Sequence, residues 1–301
     1  MDQSPNIKAY AALAIVCFFW GTTYLAIKIG VMYIPGFIFS GIRNTLAGLL
    51  TCGFFLLKGV SLPSRNVFWI LVIRGILMVI IGNGLVHWAE QFISSGLAAI
   101  IAALVPLFIV LISVIFFKSI KINLKIILGL LLGFAGILVI FFDSLGDFKN
   151  PVFVGGIIAM FAAAFGWALG SVYSGLRKLD INPIYAAGVQ MFTGGLLSIV
   201  IGFIIGERAD FLALPINGIW AILYLVFIGS ILGYNAYMYV LSKLPPTQAS
   251  IYAYINPIVA VILGWIILDE KLNLSIISGM AITLLGVYLV NRGFSMDIKK
   301  G

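Results

Sequence analysis

The sequence predicts an all-α membrane protein of ten transmembrane helices, built as two five-helix repeats that lie in the bilayer with opposite orientation. Three observations lead there. Apolar runs long enough to cross a membrane recur along all 301 residues. Lys and Arg concentrate on alternate connections, and landmarks of the first half return in the second at a nearly constant offset.

Of the chain, 62% is hydrophobic and 9% charged. Soluble domains carry about 25% charged residues, so there is too little charge here to cover a water-facing surface. Runs near the length needed to span the hydrocarbon core fall at 10–30, 35–57, 67–91, 95–117, 124–142, 153–174, 183–205, 216–240, 247–268 and 273–291. The connections are short, the longest being Asp143 to Pro151 and Gly206 to Pro215, which leaves no room for a soluble domain. The first run is too long for the apolar part of a cleaved leader, and Trp20-Gly21-Thr22-Thr23 stands where cleavage would fall. Both cysteines, Cys17 and Cys52, lie in apolar runs, so neither a disulfide framework nor a metal site is expected.

The net charge of +8 speaks of orientation rather than of nucleic acid. With the N-terminus inside, the cytoplasmic segments hold twelve of the eighteen basic residues, among them Lys58, Arg65, Lys118, Lys121, Lys125, Arg177, Lys178 and Lys243. The outer segments hold only Lys28, Lys149, Arg208 and Lys271, while Arg43 and Arg74 lie within helices. This bias predicts a multi-pass protein of the cytoplasmic (inner) membrane with both termini in the cytoplasm.

Two repeats are expected, residues 1–148 and 149–301. Gly96-Leu97-Ala98-Ala99 through Pro106 matches Thr247-Gln248-Ala249-Ser250 through Pro257, Gly129 and Gly136 match Gly279 and Gly286, and Trp20 matches Trp167. Five is an odd number, so homologous units in one chain must enter the membrane from opposite sides. The loop after the fourth helix agrees: Lys118-Ser119-Ile120-Lys121 is basic where it should be cytoplasmic, and its counterpart Asp269-Glu270-Lys271 begins with two acids where it should be outside. Inverted repeats are the architecture of secondary transporters, with the substrate held at their interface near the midplane. A duplication with no transport role is the plainer alternative.

The motifs Phe19-Trp20-Gly21-Thr22-Thr23, Arg43, Gly82-Asn83-Gly84, Trp88-Ala89-Glu90-Gln91 and Ser95-Gly96-Leu97-Ala98-Ala99 with Pro106 resemble the EamA family of the drug/metabolite transporter superfamily, in particular its YedA-like branch. The resemblance runs over both halves. It implies ten helices with cytoplasmic termini, and outward transport of small organic metabolites such as amino acids or their derivatives. The first half departs from the family's frequent acidic residue after the fourth helix, having Lys118-Ser119 instead, which orientation accounts for.

Ionisable side chains inside a membrane are costly and mark function by default. Asn83, His87 and Glu90 share one helical face and could line a polar cavity, bind a substrate ammonium or relay a proton; alternatively Glu90 meets interfacial water and His87 bonds a neighbouring helix. Arg43 could hold a substrate carboxylate or snorkel outward, and Arg74 reads as an interfacial anchor. Trp20 and Tyr24 share a face, Trp167 is the repeat partner of Trp20, Tyr234 aligns with Asn83, and Tyr252 shares a face with Asn256. Together these ten (all named here except Arg74) form the expected substrate-binding set, plain packing being the alternative for any single aromatic. Pro106 and Pro257 lie in the fourth helix of each half and are expected to act as hinges by freeing backbone carbonyls. The expected partners are a small-molecule substrate, the lipid bilayer and, if transport is coupled, protons; facilitated diffusion remains open beside proton-coupled antiport, as does import. No cofactor and no metal is implied. One histidine and one intramembrane carboxylate are poor equipment for an intramembrane enzyme, and there is neither a P-loop for ATP-driven pumping nor a channel's filter loop.

Overall fold

The computed structural model describes residues 7–115, 123–143 and 146–298. Lys118, Ser119, Ile120 and Lys121, whose charge entered the topology argument, lie outside the described residues. The described chain is helical with no strand. Its ten helices are α1 (Ile7–Val31), α2 (Gly36–Leu57), α3 (Arg65–Ala89), α4 (Ser95–Ile115), α5 (Leu124–Asp143), α6 (Pro151–Leu176), α7 (Pro183–Ile204), α8 (Ile216–Lys243), α9 (Tyr252–Leu268) and α10 (Leu274–Ile298). All but α9 are long and apolar enough to cross a bilayer. The 17 residues of α9 rise about 26 Å at 1.5 Å each, and a separate turn at Pro246–Ala249 precedes them.

Side chains set several helix starts, because the first N–H groups of a helix have no partner within it. Asn123 Oδ1 accepts from Ile126 N, and Asn273 Oδ1 accepts from Ile276 N, so matching asparagines open α5 and α10. Asn150 and Asn182 cap α6 and α7, each followed by proline at the first helical position. Two carboxylates from the second half cap helices of the first. Glu207 accepts from the N–H groups of Phe37 and Ile38 at the start of α2 (3.1 and 2.8 Å). Glu270 accepts from Ser95 N, Ser95 Oγ and Gly96 N at the start of α4 (2.7, 3.0 and 3.1 Å). The acid at this loop therefore has a structural task in addition to any charge preference of its side of the membrane.

Glycine lets two pairs of helices approach until backbones touch. In α5 and α10, a Cβ on Gly136 would stand 2.5 Å from Gly279 O, and one on Gly129 2.6 Å from Gly286 O. In α2 and α7, a Cβ on Gly41 would stand 2.9 Å from Gly195 O, and one on Gly48 2.8 Å from Gly188 O. Helices α1, α3, α4, α6, α8 and α9 make most of the remaining contacts, between these two pairs.

Two features depart from straight α-helices. The middles of α3 (Ile76–Gly84) and α8 (Leu225–Tyr234) are π-helical, and these segments occupy corresponding places in the two halves. Helix α4 is two pieces, Ser95–Ala102 and Val105–Ile115. The expectation that Pro106 lies within a continuous helix is corrected: it sits in the first turn of the second piece, where a missing N–H breaks no helical bond. Pro257 does lie inside its helix, α9.

Candidate substrate site

Seven helices surround a central cavity of about 70 Å³. Helix α1 contributes Trp20, Thr23, Tyr24 and Ile27, and α2 contributes Arg43. The end of the π segment in α3 brings Gly82 and Asn83, and α8 brings Tyr234 at the corresponding place. Trp167 enters from α6, with Tyr252 and Asn256 from α9, and Ala102 and Val105 flank the break in α4. Eight of the ten expected residues thus line one cavity. His87 and Glu90 are not among the lining residues, although both are fully buried.

Most of these aromatic pairs meet edge to face, an arrangement ring quadrupoles favour, while Tyr237 lies tilted to both tryptophans, at 44° to Trp20 and 34° to Trp167. Trp20 meets Trp167 at 5.3 Å and 78°, Tyr252 at 5.0 Å and 86°, and Tyr237 at 5.1 Å, while Trp167 meets Tyr234 at 5.8 Å and 87°. Both tryptophans rest on glycines of the π segments across the halves. A Cβ on Gly82 would stand 2.8 Å from the Trp167 ring, and one on Gly233 would overlap the Trp20 indole. Backbone carbonyls in a π segment are not all held by regular helical bonds, and Trp20 Nε1 donates to one of them, Gly229 O, at 3.1 Å. Trp167 Nε1 has no such carbonyl, and the hydroxyls of Tyr237 and Tyr252 face it instead. On the α3 side, Asn83 Nδ2 donates to Met78 O at 3.3 Å.

Arg43 is 3% exposed, so it does not snorkel. Its Nε donates to Ser230 Oγ at 3.2 Å and its Nη1 to His87 Nε2 at 3.3 Å. His87 Nδ1 lies 2.7 Å from Asn83 O. A carbonyl can only accept and a guanidinium can only donate. These partners therefore assign the proton to Nδ1 and leave Nε2 as an acceptor, so His87 is neutral here. The histidine aims Arg43, and Arg43 presents a fixed positive charge to the cavity.

Glu90 follows the last residue of α3, is 0% exposed, and neither carboxyl oxygen has a hydrogen-bond partner. Burial replaces the interfacial water that one sequence reading gave it. Tyr24, Lys28, Arg43 and Glu270 lie within electrostatic reach. Lys28 Nζ donates to Glu90 O and Ile93 O at 2.6 and 2.8 Å, so it serves the carbonyl end of α3. Arg74 is also corrected: it is 5% exposed and donates Nη2 to Arg177 O, inside the protein rather than at a lipid interface.

Tyr237 was missed in the sequence although it packs on both tryptophans and bonds Ser171 Oγ at 2.9 Å. Its spacing of three from Tyr234, one helical face, was the available signal. Ser230, Gly229 and Gln190, which accepts from Tyr234 Oη at 3.1 Å, carried no signal of their own.

The profile of the EamA-like transporter family matches the chain twice, over residues 7–142 and 154–292. An Escherichia coli protein named an uncharacterized inner membrane transporter, YedA, is 35% identical over 290 residues, which span 95% of this chain and 92% of its own. The Bacillus subtilis transporter YoaV is 25% identical over 291 residues, spanning 96% and 98%. A solved crystal structure superposes with a TM-score of 0.69 at 19% identity, covering 97% and 98% of the two chains, a likeness of fold alone. Apolar helices around a central cavity that holds a buried arginine and two asparagines, with relatives named as transporters across nearly the whole length, define a multi-pass membrane transporter. The chain belongs to the EamA-like transporter family.

Proposed function

We propose that this protein is a secondary transporter that moves small organic metabolites, amino acids or their derivatives, out of the cell by alternating access, and that the central cavity is its substrate site. One observation carries this reading: the buried cation Arg43 and the aromatic group of Trp20, Trp167, Tyr234 and Tyr252 converge on one cavity drawn from both halves of the chain. Arg43 suits a substrate carboxylate, Glu90, buried outside the cavity wall, suits a proton, and the ring faces suit an apolar or cationic side chain. At about 70 Å³ the cavity is far below the roughly 300–1,000 Å³ of ligand pockets, so on this reading it is a closed state that must widen to admit a solute.

The two halves are inverted repeats, with both termini in the cytoplasm. Support comes from the odd helix number per half, the bias of basic residues, the pairing of α2 with α7 and α5 with α10, and the matching π segments. On this reading the halves rock about the cavity, with Pro106 beside the break in α4 and Pro257 inside α9 as hinges. The test is counterflow in proteoliposomes, screened over amino acids and related metabolites. Uptake should be found for at least one amino acid and should fall at least about tenfold in Trp20→Ala and Trp167→Ala at equal protein. If both variants carry the solute normally, the cavity lies elsewhere.

A further inference from the structure

We propose that the chain carries a second binding site, for a small oxyanion, formed by Arg74, Ser174, Lys178 and Lys243 at the end of the bundle that the charge distribution assigns to the cytoplasm. Two adjoining cavities of about 260 and 350 Å³ open there and share Lys178, Leu241 and Lys243 in their walls. Arg74 from α3 and Ser174 from α6 line the smaller one. No residue lining either cavity is acidic; Asp180 is exposed and is not among the lining residues.

The two buried members have unused hydrogen-bonding capacity. Arg74 is 5% exposed and spends Nη2 on Arg177 O, while its Nε has no partner. Ser174 is 7% exposed and its Oγ has no partner. Other serines in these helices behave differently: Ser113, Ser171 and Ser198 each donate to the carbonyl four residues back. A buried cation with no counter-charge is costly, and a guanidinium N–H, a hydroxyl and two ammonium groups around one space are the donors a carboxylate or phosphate takes. A free anion and the phosphate of a lipid headgroup share this chemistry. Arg74 also lies within electrostatic reach of Tyr234, which lines the central cavity and is tied to Gln190. The anion would therefore sit one layer below that cavity. The inference stands apart from the transport reading, because binding is measured without flux.

The full chain in phosphatidylcholine nanodiscs is titrated with inorganic phosphate at constant ionic strength, and unfolding temperature is followed. A second sample in discs that include phosphatidylglycerol is examined by native mass spectrometry for retained lipid. Expected is a phosphate-dependent rise in unfolding temperature, or retention of phosphatidylglycerol over phosphatidylcholine, weakened about tenfold in Arg74→Gln and in Lys178→Gln/Lys243→Gln. A phosphate response assigns the site to a free anion; lipid retention alone assigns it to a headgroup. The lysine pair is exposed and keeps the test valid should Arg74→Gln fail to fold. Neither response in the wild type, or responses unchanged in the lysine variant, would overturn the proposal.

Discussion

Gly233→Ala places a methyl group where α8 carries the Trp20 indole. The added Cβ would overlap Trp20 Nε1, stand 2.7 Å from its Cδ1 and 3.1 Å from Ile228 O, all inside ordinary contact distance. The indole has little room to yield, since Trp167, Tyr237 and Tyr252 hold its faces and edges and Gly229 O holds its N–H. Overpacking of this kind costs about 1–3 kcal/mol, and a hydrogen bond inside a membrane protein is worth about 0.6 kcal/mol. Replacing glycine by alanine in a helix returns up to about 1 kcal/mol. A net loss of roughly 0.6–2.6 kcal/mol remains, which lowers the unfolding temperature by roughly 1–10 °C at about 2–4 °C per kcal/mol. Gly53 in α2 is the control, because nothing lies within 4 Å of its Cβ position; Gly53→Ala should leave stability unchanged or slightly raised. The assay is thermal unfolding in detergent beside counterflow at matched protein. Gly233→Ala should lose at least about tenfold in counterflow through displacement of Trp20, and Gly53→Ala should lose none. Equal stability and equal flux for the two variants would refute the packing argument.

Glu90→Gln separates coupling from binding. The carboxyl is buried and without a hydrogen-bond partner, so the amide should preserve the fold and counterflow while abolishing the response of net flux to an imposed pH gradient; a gradient response equal to wild type would remove Glu90 from any proton role. Topology is checked by thiol labelling in a Cys17→Ser/Cys52→Ser background. Ser64→Cys should react only from the cytoplasmic side and Asp147→Cys only from outside, and labelling of both from one side would refute the ten-crossing arrangement.

Hydropathy by itself determined the number and place of the helices, because in lipid a segment must satisfy its own backbone, and a run of apolar residues has no alternative to a helix. The expected spans 35–57 and 183–205 differ from α2 and α7 by a residue at one end. Candidate polar and aromatic residues were legible for the same reason: Arg43, Asn83 and Tyr234 interrupt hydrocarbon-like sequence, and such interruptions converge on a cavity. The tertiary structure alone decided which of them meet. The π segments of α3 and α8 end at the cavity and bring Asn83 and Tyr234 into its wall, while His87, beyond the first segment, turns to Arg43 and Glu90 is fully buried. Their surroundings are settled by contacts more than 80 residues away, Trp167 on Gly82 and Trp20 on Gly233, which no local pattern encodes. Glu270 read in the sequence as a loop charge and Glu207 carried no signal, yet each carboxylate closes the start of a helix in the other half. A hydrogen bond between distant segments depends on distance and angle in space, and those exist only once the helices have packed.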